Sequence, residues 1–224
     1  DMANLEKICK KIRLAILKAS YETQACHIGS ALSCVEILVS LYWKVLKRGD
    51  IFIFGKASGA SALYCVLAER GIIKKSKVNE YLKKYPLANS FVPGVTTSVG
   101  SVGMGLSTAV GLALSNRKKR VYCLISDGQL DEGVTYEAAL FSRQHKLNNL
   151  YVICDNNKYQ ATGATKDILD LTTSFKFMTE TFPNLEIVNT IKGRGVSFLE
   201  NNPIASHYMN LDKQKYEQAI EEIG

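Results

Sequence analysis

The chain has 224 residues, of which 46% are apolar and 22% are charged, a balance typical of a globular protein with one full core. No apolar run is long enough to cross a membrane, and the charged, amphipathic N-terminal stretch does not resemble a signal peptide. The net charge of +7 comes from basic residues spread along the chain, and no nucleic-acid-binding motif accompanies it. We therefore expect neither a membrane protein nor a nucleic-acid-binding protein.

The first half of the chain alternates helical patterns with one short apolar run. The predicted segments are a helix over 4 to 19, a loop over 20 to 30, a helix over 31 to 47, a buried strand over 51 to 55, a helix that stops at Gly71, and a basic helix over 75 to 85.

The second half contains the clearest β-α-β pattern, over residues 121 to 157. Around it lie an irregular stretch over 86 to 101, a glycine-rich turn and helix over 100 to 117, a strand over 185 to 191, and an amphipathic helix over 212 to 223. This alternation predicts an α/β fold with a doubly wound, mostly parallel sheet and helices on both faces.

The six cysteines lie singly, mostly within apolar runs, and none forms a CxxC pair. This pattern predicts reduced, buried thiols in a cytoplasmic protein.

Polar residues follow two neighbouring predicted strands. One strand ends in Ser126-Asp127-Gly128, and the other ends in Asp155-Asn156-Asn157. Because the carboxyl ends of parallel strands face one crevice, we expect these residues to meet there. A carboxylate, an amide and backbone carbonyls suit a hard cation such as Mg²⁺ that is shared with a phosphorylated ligand. The simpler alternative for Asp127 is a carboxylate that caps the following helix.

Several motifs resemble one family in order and content. SDG followed by CDNN is similar to the signature of thiamine diphosphate enzymes. The segments CHIGSALS, GSVGMGLSTAVGLAL, DEGVTYEAALFSRQHKLNNLYVICDNN and TIKGRGVSFLENNP resemble the diphosphate-binding half of transketolases. The chain is therefore identified as a member of the transketolase family, similar to the N-terminal subunit of a split transketolase.

The resemblance implies that residues 1 to 224 form a single thiamine-diphosphate-binding domain, while a partner chain carries the pyrimidine-binding domain. The expected reaction transfers a two-carbon ketol unit from a ketose to an aldehyde. The partner would supply the glutamate that activates the cofactor, so we expect an α₂β₂ heterotetramer and no activity from this chain alone.

The resemblance also implies a metal site and a cofactor cradle. Asp127, Asn157 and the backbone carbonyl of Tyr159 would bind Mg²⁺, or Ca²⁺ or Mn²⁺ in its place. Gly128 would lie against the diphosphate. The glycine-rich turn would pack against the cofactor rings through Gly100, Val102 and Gly103, although a close helix–helix contact explains such a turn equally well.

Three residues are implied as catalytic, namely His27, Glu132 and His207. The sequence around His207 matches the family less well than that around His27, and Glu132 is also explained as a first-turn glutamate at a helix N-terminus. We interpret His145, on the helix before the second strand, as structural.

The chain departs from the family pattern where substrate would bind. Ser58 stands in GKAS, where transketolases carry a histidine in SKGH, and Lys84-Tyr85-Pro86-Leu87 replaces another expected histidine motif. We still expect Ser58 to contact the cofactor or the substrate. These changes favour an unusual sugar or a 2-oxoacid-like donor. The segments over 48 to 51 and 170 to 185 are shorter than in the family, which we interpret as omitted loops rather than a lost strand.

Two other functions remain open from the sequence. The same metal motif occurs in subunits of 2-oxoacid dehydrogenases and decarboxylase-like carboligases, although CHIGS and TIKGRGVSFLENNP favour a transketolase. A non-catalytic remnant that only binds the cofactor is the second alternative, because histidines of the family have been replaced.

Overall fold

A parallel sheet of four strands organises residues 2–224, the part of the chain that the computed structural model describes. The strands are β1 (Ile51–Phe54), β2 (Val121–Ser126), β3 (Leu150–Asn156) and β4 (Leu185–Asn189), and they lie side by side in that order. All three pairings are parallel. The predicted α/β class and the positions of all four strands are confirmed.

Eleven α-helices surround the sheet in the described chain. They are α1 (Met2–Thr23), α2 (Ile28–Ser33), α3 (Val35–Ser40), α4 (Ala60–Glu69), α5 (Val78–Lys84), α6 (Met104–Ser115), α7 (Gly133–Gln144), α8 (Thr165–Ile168), α9 (Thr172–Thr181), α10 (Ser197–Glu200) and α11 (Lys213–Ile223). Within residues 2–224, no helix combines the length and the apolar character that crossing a bilayer requires.

The helices cover both faces of the sheet, as expected for a doubly wound fold. Along β2, Tyr122 and Leu124 pack into one apolar cluster with α1, α3 and α4. Their neighbours Cys123 and Ile125 point to the opposite face and pack with α6, α7 and α9. Since both faces are buried, the central strands are continuously apolar rather than alternating.

The helix expected over residues 31 to 47 is wrong as a single element. The chain forms α2 and α3, separated at Cys34, and then a π-helical turn at Leu41–Val45. The loop expected over 20 to 30 is also shorter, because α2 begins at Ile28. The break follows Ser33, whose buried hydroxyl bonds to Asp155 on β3, a tertiary contact that helical periodicity does not reveal.

The short segment over 170 to 185, before β4, contains one helix, α9. α9 ends at Thr181, and β4 begins at Leu185 and pairs with β3 from Val152 onward. The residues between the two strands therefore join β3 to β4 without a break in the sheet.

Two glycines bring α6 against the end of β1. A Cβ atom added at Gly105 would lie 2.5 Å from the Cα of Gly55, so the two backbones touch. Gly111, later on the same helix, has no atom within 4 Å of its Cβ position. The glycine-rich segment thus has a structural reason at Gly105 that is independent of any ligand.

We expect Gly105→Ala to lower the free energy of unfolding by about 2 kcal/mol, because backbone cannot yield as a flexible side chain can. Gly111→Ala, the matched control, should raise it by roughly 0.5–1 kcal/mol, because alanine is the better helix former at an open position. Urea denaturation of both variants tests this, and equal effects of the two substitutions would contradict the contact.

Candidate functional site

The carboxyl ends of β1, β2 and β3 open into a cavity of about 390 Å³. Nine of the residues predicted for the site line it, namely His27, Ser58, Gly100, Val102, Gly128, Glu132, Asn157, Tyr159 and His207. Three other cavities in the described chain, of about 340, 610 and 420 Å³, contain none of the predicted site residues. The chemistry expected from the sequence is therefore gathered at one place.

Asp127 lies just beneath this cavity, fully out of contact with solvent. It opens a 3₁₀ turn, Asp127–Asp131, after β2. One carboxylate oxygen accepts a hydrogen bond from the Gly128 N–H at 2.9 Å and the other from the Lys158 N–H at 2.6 Å. Burial raises the pKa of Asp127 to about 6, against the opposing effect of the Lys158 N–H.

The turn after β3 brings the other two predicted metal ligands to Asp127. Lys158 adopts a left-handed backbone conformation, with φ of 70°. The Asn157 side-chain oxygen accepts from the Tyr159 N–H at 3.0 Å. Among residues 2–224, no group donates a hydrogen bond to the Tyr159 carbonyl. A carboxylate from the turn after β2 thus meets an amide oxygen and a free carbonyl from the turn after β3, which together are a donor set for a hard cation.

The described chain, this site included, holds no cluster of three or more histidine, cysteine or acidic side chains that could bind a metal. A metal site at this turn would therefore depend on the amide and the backbone carbonyl as well as on Asp127. The assignment of Asp127, Asn157 and Tyr159 as ligands stays a prediction.

The two predicted catalytic histidines come together although they are far apart in the sequence. The His27 N–H donates to the His207 carbonyl at 2.7 Å, and the two rings meet edge to face with centroids 4.7 Å apart. Gly29 permits this approach, because a side chain there would collide with Ser206.

Both rings favour the neutral state. Burial, and then the charge of Lys192, lowers the pKa of His27. The same two causes lower the pKa of His207 to about 4. A neutral imidazole both donates and accepts a hydrogen bond, which suits contacts with hydroxyl groups.

Lys192 is a site residue that the sequence patterns did not reveal. Its side chain is 2% exposed, and its ammonium donates to the Gln160 carbonyl at 2.8 Å. No carboxylate of the described residues forms an ion pair with it, and burial lowers its pKa to about 8. Buried charges are normally paired, so a nearby anion would stabilise the charged form of this ammonium. The sequence feature that could have pointed to Lys192 is its position within TIKGRG, a segment that resembles the family.

A second buried lysine was also missed. Lys56, in the GKAS segment, forms an ion pair with Asp155, and both side chains are almost fully buried. Burial works to lower the pKa of Lys56, but the facing carboxylate of Asp155 outweighs it and raises the pKa. In the sequence, GKAS was considered only because Ser58 stands where the family has a histidine, and no role was predicted for Lys56.

The remaining residues considered from the sequence differ in whether they line the cavity. Glu132 is exposed at the start of α7 and lines the cavity. Gly103, with φ of 88°, does not line it, and a Cβ there would lie 2.5 Å from a methyl carbon of Val134. Gly103 thus supports the close-packing interpretation. His145 is exposed at the end of α7 and lies outside the cavity lining.

Comparison with known proteins places these features in one family. Residues 1–216 match the sequence profile of the 1-deoxy-D-xylulose-5-phosphate synthase family. An apulose-4-phosphate transketolase subunit of Actinobacillus succinogenes is 36% identical over 265 aligned positions, covering 98% of this chain and 95% of that protein. The alignment is longer than the 224 residues of this chain, so that relative has segments with no counterpart here.

Two further proteins are similar to this chain. The 6-deoxy-6-sulfo-D-fructose transketolase subunit of a Clostridium species is 28% identical and covers 88% of each chain. The crystal structure of a transketolase from Campylobacter jejuni superposes with a TM-score of 0.88 at 23% identity, over 100% of this chain and 43% of that one. The latter shows a shared fold.

The lowered pKa of His207 predicts a measurable pH effect. Below pH 6.5 the unfolded histidine takes up a proton that the folded protein resists until about pH 4, so this residue removes stability as the pH falls through that window. Replacing it should remove that loss. We expect the unfolding free energy of His207→Asn, relative to wild type, to rise by about 1 kcal/mol between pH 7 and pH 5, allowing for partial solvent exposure.

Denaturant titrations at both pH values measure this difference, with His145→Asn, at an exposed position, as the control. Subtracting the wild type removes the opposite trend expected from Asp127, whose raised pKa favours the folded state at acid pH. If the difference in unfolding free energy between His207→Asn and wild type did not change with pH, the lowered pKa of His207 would be contradicted.

Proposed function

The chain belongs to the transketolase family, and from this premise we propose that it is the thiamine-diphosphate-binding subunit of a split transketolase. Members of this family are transferases, and the reaction proposed here moves a two-carbon ketol unit from a ketose to an aldehyde. The observation that carries the proposal is the meeting of Asp127 with the Asn157–Tyr159 turn beside a cavity that both histidines line.

The residues present fit a metal-bound diphosphate. Asp127 supplies a buried carboxylate, and the Tyr159 carbonyl has no hydrogen-bond donor among the described residues. Lys192 supplies a buried ammonium without a carboxylate partner in the same part of the chain. Gly100 has no atom within 4 Å of its Cβ position, so it leaves space along the cavity wall. These groups would hold Mg²⁺, with Ca²⁺ or Mn²⁺ as substitutes, together with the diphosphate anion.

The protein's own groups then orient substrate. Thiamine diphosphate, when bound, supplies the carbon nucleophile for cleaving and forming the carbon–carbon bond. His27 and His207, as neutral rings, donate to and accept from the hydroxyls of the ketose. Ser58 offers one further hydroxyl at the cavity wall. Glu132 lies exposed at the cavity mouth, where a second chain would meet it.

A partner chain completes the site in this proposal. Two relatives are named as subunits, which supports a split enzyme. Apolar side chains are exposed near the start of α6 and on α7, a surface suited to burial by another protein, and they are Val102, Met104, Leu140 and Phe141. The partner would carry the cofactor-activating glutamate in an α₂β₂ assembly. We place the enzyme in the cytoplasm, in keeping with its free cysteines.

The substrate is proposed to be a ketose other than the common pentose phosphates. Relatives are named for apulose 4-phosphate and for 6-deoxy-6-sulfo-D-fructose, so split enzymes of this family act on unusual sugars. Ser58, in the cavity wall, provides a shorter side chain than the histidine expected there. The names of these relatives favour ketol transfer over 2-oxoacid decarboxylation and over a non-catalytic remnant.

Asp127→Asn should weaken Mg²⁺-dependent binding of thiamine diphosphate by at least about 100-fold, because the amide removes the one buried charge facing the cation. Calorimetric titration of the chain, with and without its partner, measures this. Asp170→Asn is the matched control, since Asp170 is exposed and asparagine keeps a side-chain oxygen that can accept from the Thr172 N–H. Equal affinity for Asp127→Asn and wild type would contradict the metal site.

The purified chain alone should show no ketol transfer, and addition of the partner chain should restore turnover of an unusual ketose. An assay that follows both transfer to an aldehyde acceptor and CO₂ release distinguishes a transferase from a decarboxylase. Turnover by the chain alone would refute the split active site. Faster turnover of ordinary phosphoketoses by the assembled enzyme would refute the substrate assignment.

A further inference from the structure

Four polar side chains lie buried together beneath the turn that follows β3. Ser33 and Asp155 have no solvent exposure, Asn157 is 3% exposed and Lys56 is 4% exposed. The Lys56 ammonium donates to the Ser33 hydroxyl at 2.7 Å, to the Ser30 carbonyl at 2.9 Å, and to Asp155. A threonine just after β4 donates to the second oxygen of Asp155. The group therefore joins α2 and the ends of β1, β3 and β4.

Ser33 stands at the centre of this group. Its hydroxyl lies 2.7 Å from an Asp155 oxygen and 3.0 Å from the Ser30 carbonyl, either of which can accept its proton. It accepts from Lys56 and, at 3.3 Å, from the amide nitrogen of Asn157. A hydroxyl has one proton and two lone pairs, so its proton serves these two acceptors while Lys56 and Asn157 occupy both lone pairs.

This arrangement fixes which end of the Asn157 amide faces Ser33. Whether the hydroxyl proton is directed to Asp155 or to the Ser30 carbonyl, Ser33 offers Asn157 an acceptor, and only the NH₂ end of the amide can meet it. The amide oxygen is therefore turned toward the Tyr159 N–H, on the side of the cavity. Lys56 strengthens the arrangement, since its ammonium occupies the other acceptor position of Ser33 and is itself a donor only.

We propose that Ser33, held by Lys56 and Asp155, is a positioning residue that presents the Asn157 amide oxygen to the cation of the cofactor site. The inference rests on the proposed function, because the cation is part of it. A purely structural role for the group, tying strands together, predicts a change in stability but none in metal affinity. Partners that orient metal ligands commonly alter affinity by about 10–100-fold when they are removed.

The test compares Ser33→Ala with Ser20→Ala in the full chain. Ser20 is also buried, at 1% exposure, and its hydroxyl has no hydrogen-bond partner within the described part of the chain. MnCl₂ is titrated in the presence of thiamine diphosphate, with and without the partner chain, and free Mn²⁺ is measured by electron paramagnetic resonance. We expect the Kd for Mn²⁺ to rise about 10-fold for Ser33→Ala and to stay unchanged for Ser20→Ala.

Ser33→Cys keeps a side chain of similar size but offers only a weak acceptor, so it should raise the Kd as well even if Ser33→Ala is poorly folded. An unchanged Kd in a folded Ser33 variant, whatever its melting temperature, would overturn the positioning role alone. If wild type binds no Mn²⁺ with thiamine diphosphate under either condition, the proposed function is overturned together with this inference.

Discussion

The ion pair between Lys56 and Asp155 is the constraint on which the cavity floor depends. It joins the end of β1 to the end of β3, and the hydroxyls of Ser33 and Thr190 extend it to α2 and β4. Removing one partner would leave an isolated buried charge at a cost of about 3–5 kcal/mol, whereas a well-packed apolar replacement of both partners is often tolerated. Stability alone therefore does not explain its presence. The ion pair lies next to Ser33, which bonds to the Asn157 amide, and through Ser33 it fixes the orientation of that amide.

The charged groups around the cavity are poorly matched in the absence of a ligand. Burial raises the pKa of Asp127 to about 6 and lowers the pKa of Lys192 to about 8, so the charged form is disfavoured at both residues. A cation near the first and an anion near the second would reverse both effects. A metal-bound diphosphate carries both charges in one ligand. Its binding should therefore be coupled to the stability of the folded chain, by the ordinary linkage between ligand binding and folding.

Periodicity and composition were sufficient to predict the strands, the fold class and the two polar turns. Local sequence contains this information, because the apolar runs at 121 to 126 and 150 to 154 end in the residues that form the turns. The approach of His27 to His207 was implied only by resemblance. The break after α2 and the contact of Ser33 with Asp155 could not be predicted, because they depend on residues more than a hundred positions apart. The burial of Lys192 was missed for a similar reason, since its surroundings include the distant turn after β3.

The distribution of acids in the cavity is in keeping with the proposal that a second chain completes the site. Among the described residues, Glu132 is the one carboxylate that lines the cavity, and its side chain is exposed. Asp127 lies below the lining and is held by two backbone N–H groups. Neither is a buried acid that lines the cavity, whereas the groups proposed to meet the cation and the anion all belong to this chain. In the proposed split enzyme, the groups that hold the diphosphate would therefore lie on this chain, and the acid that controls proton transfer would lie on the partner.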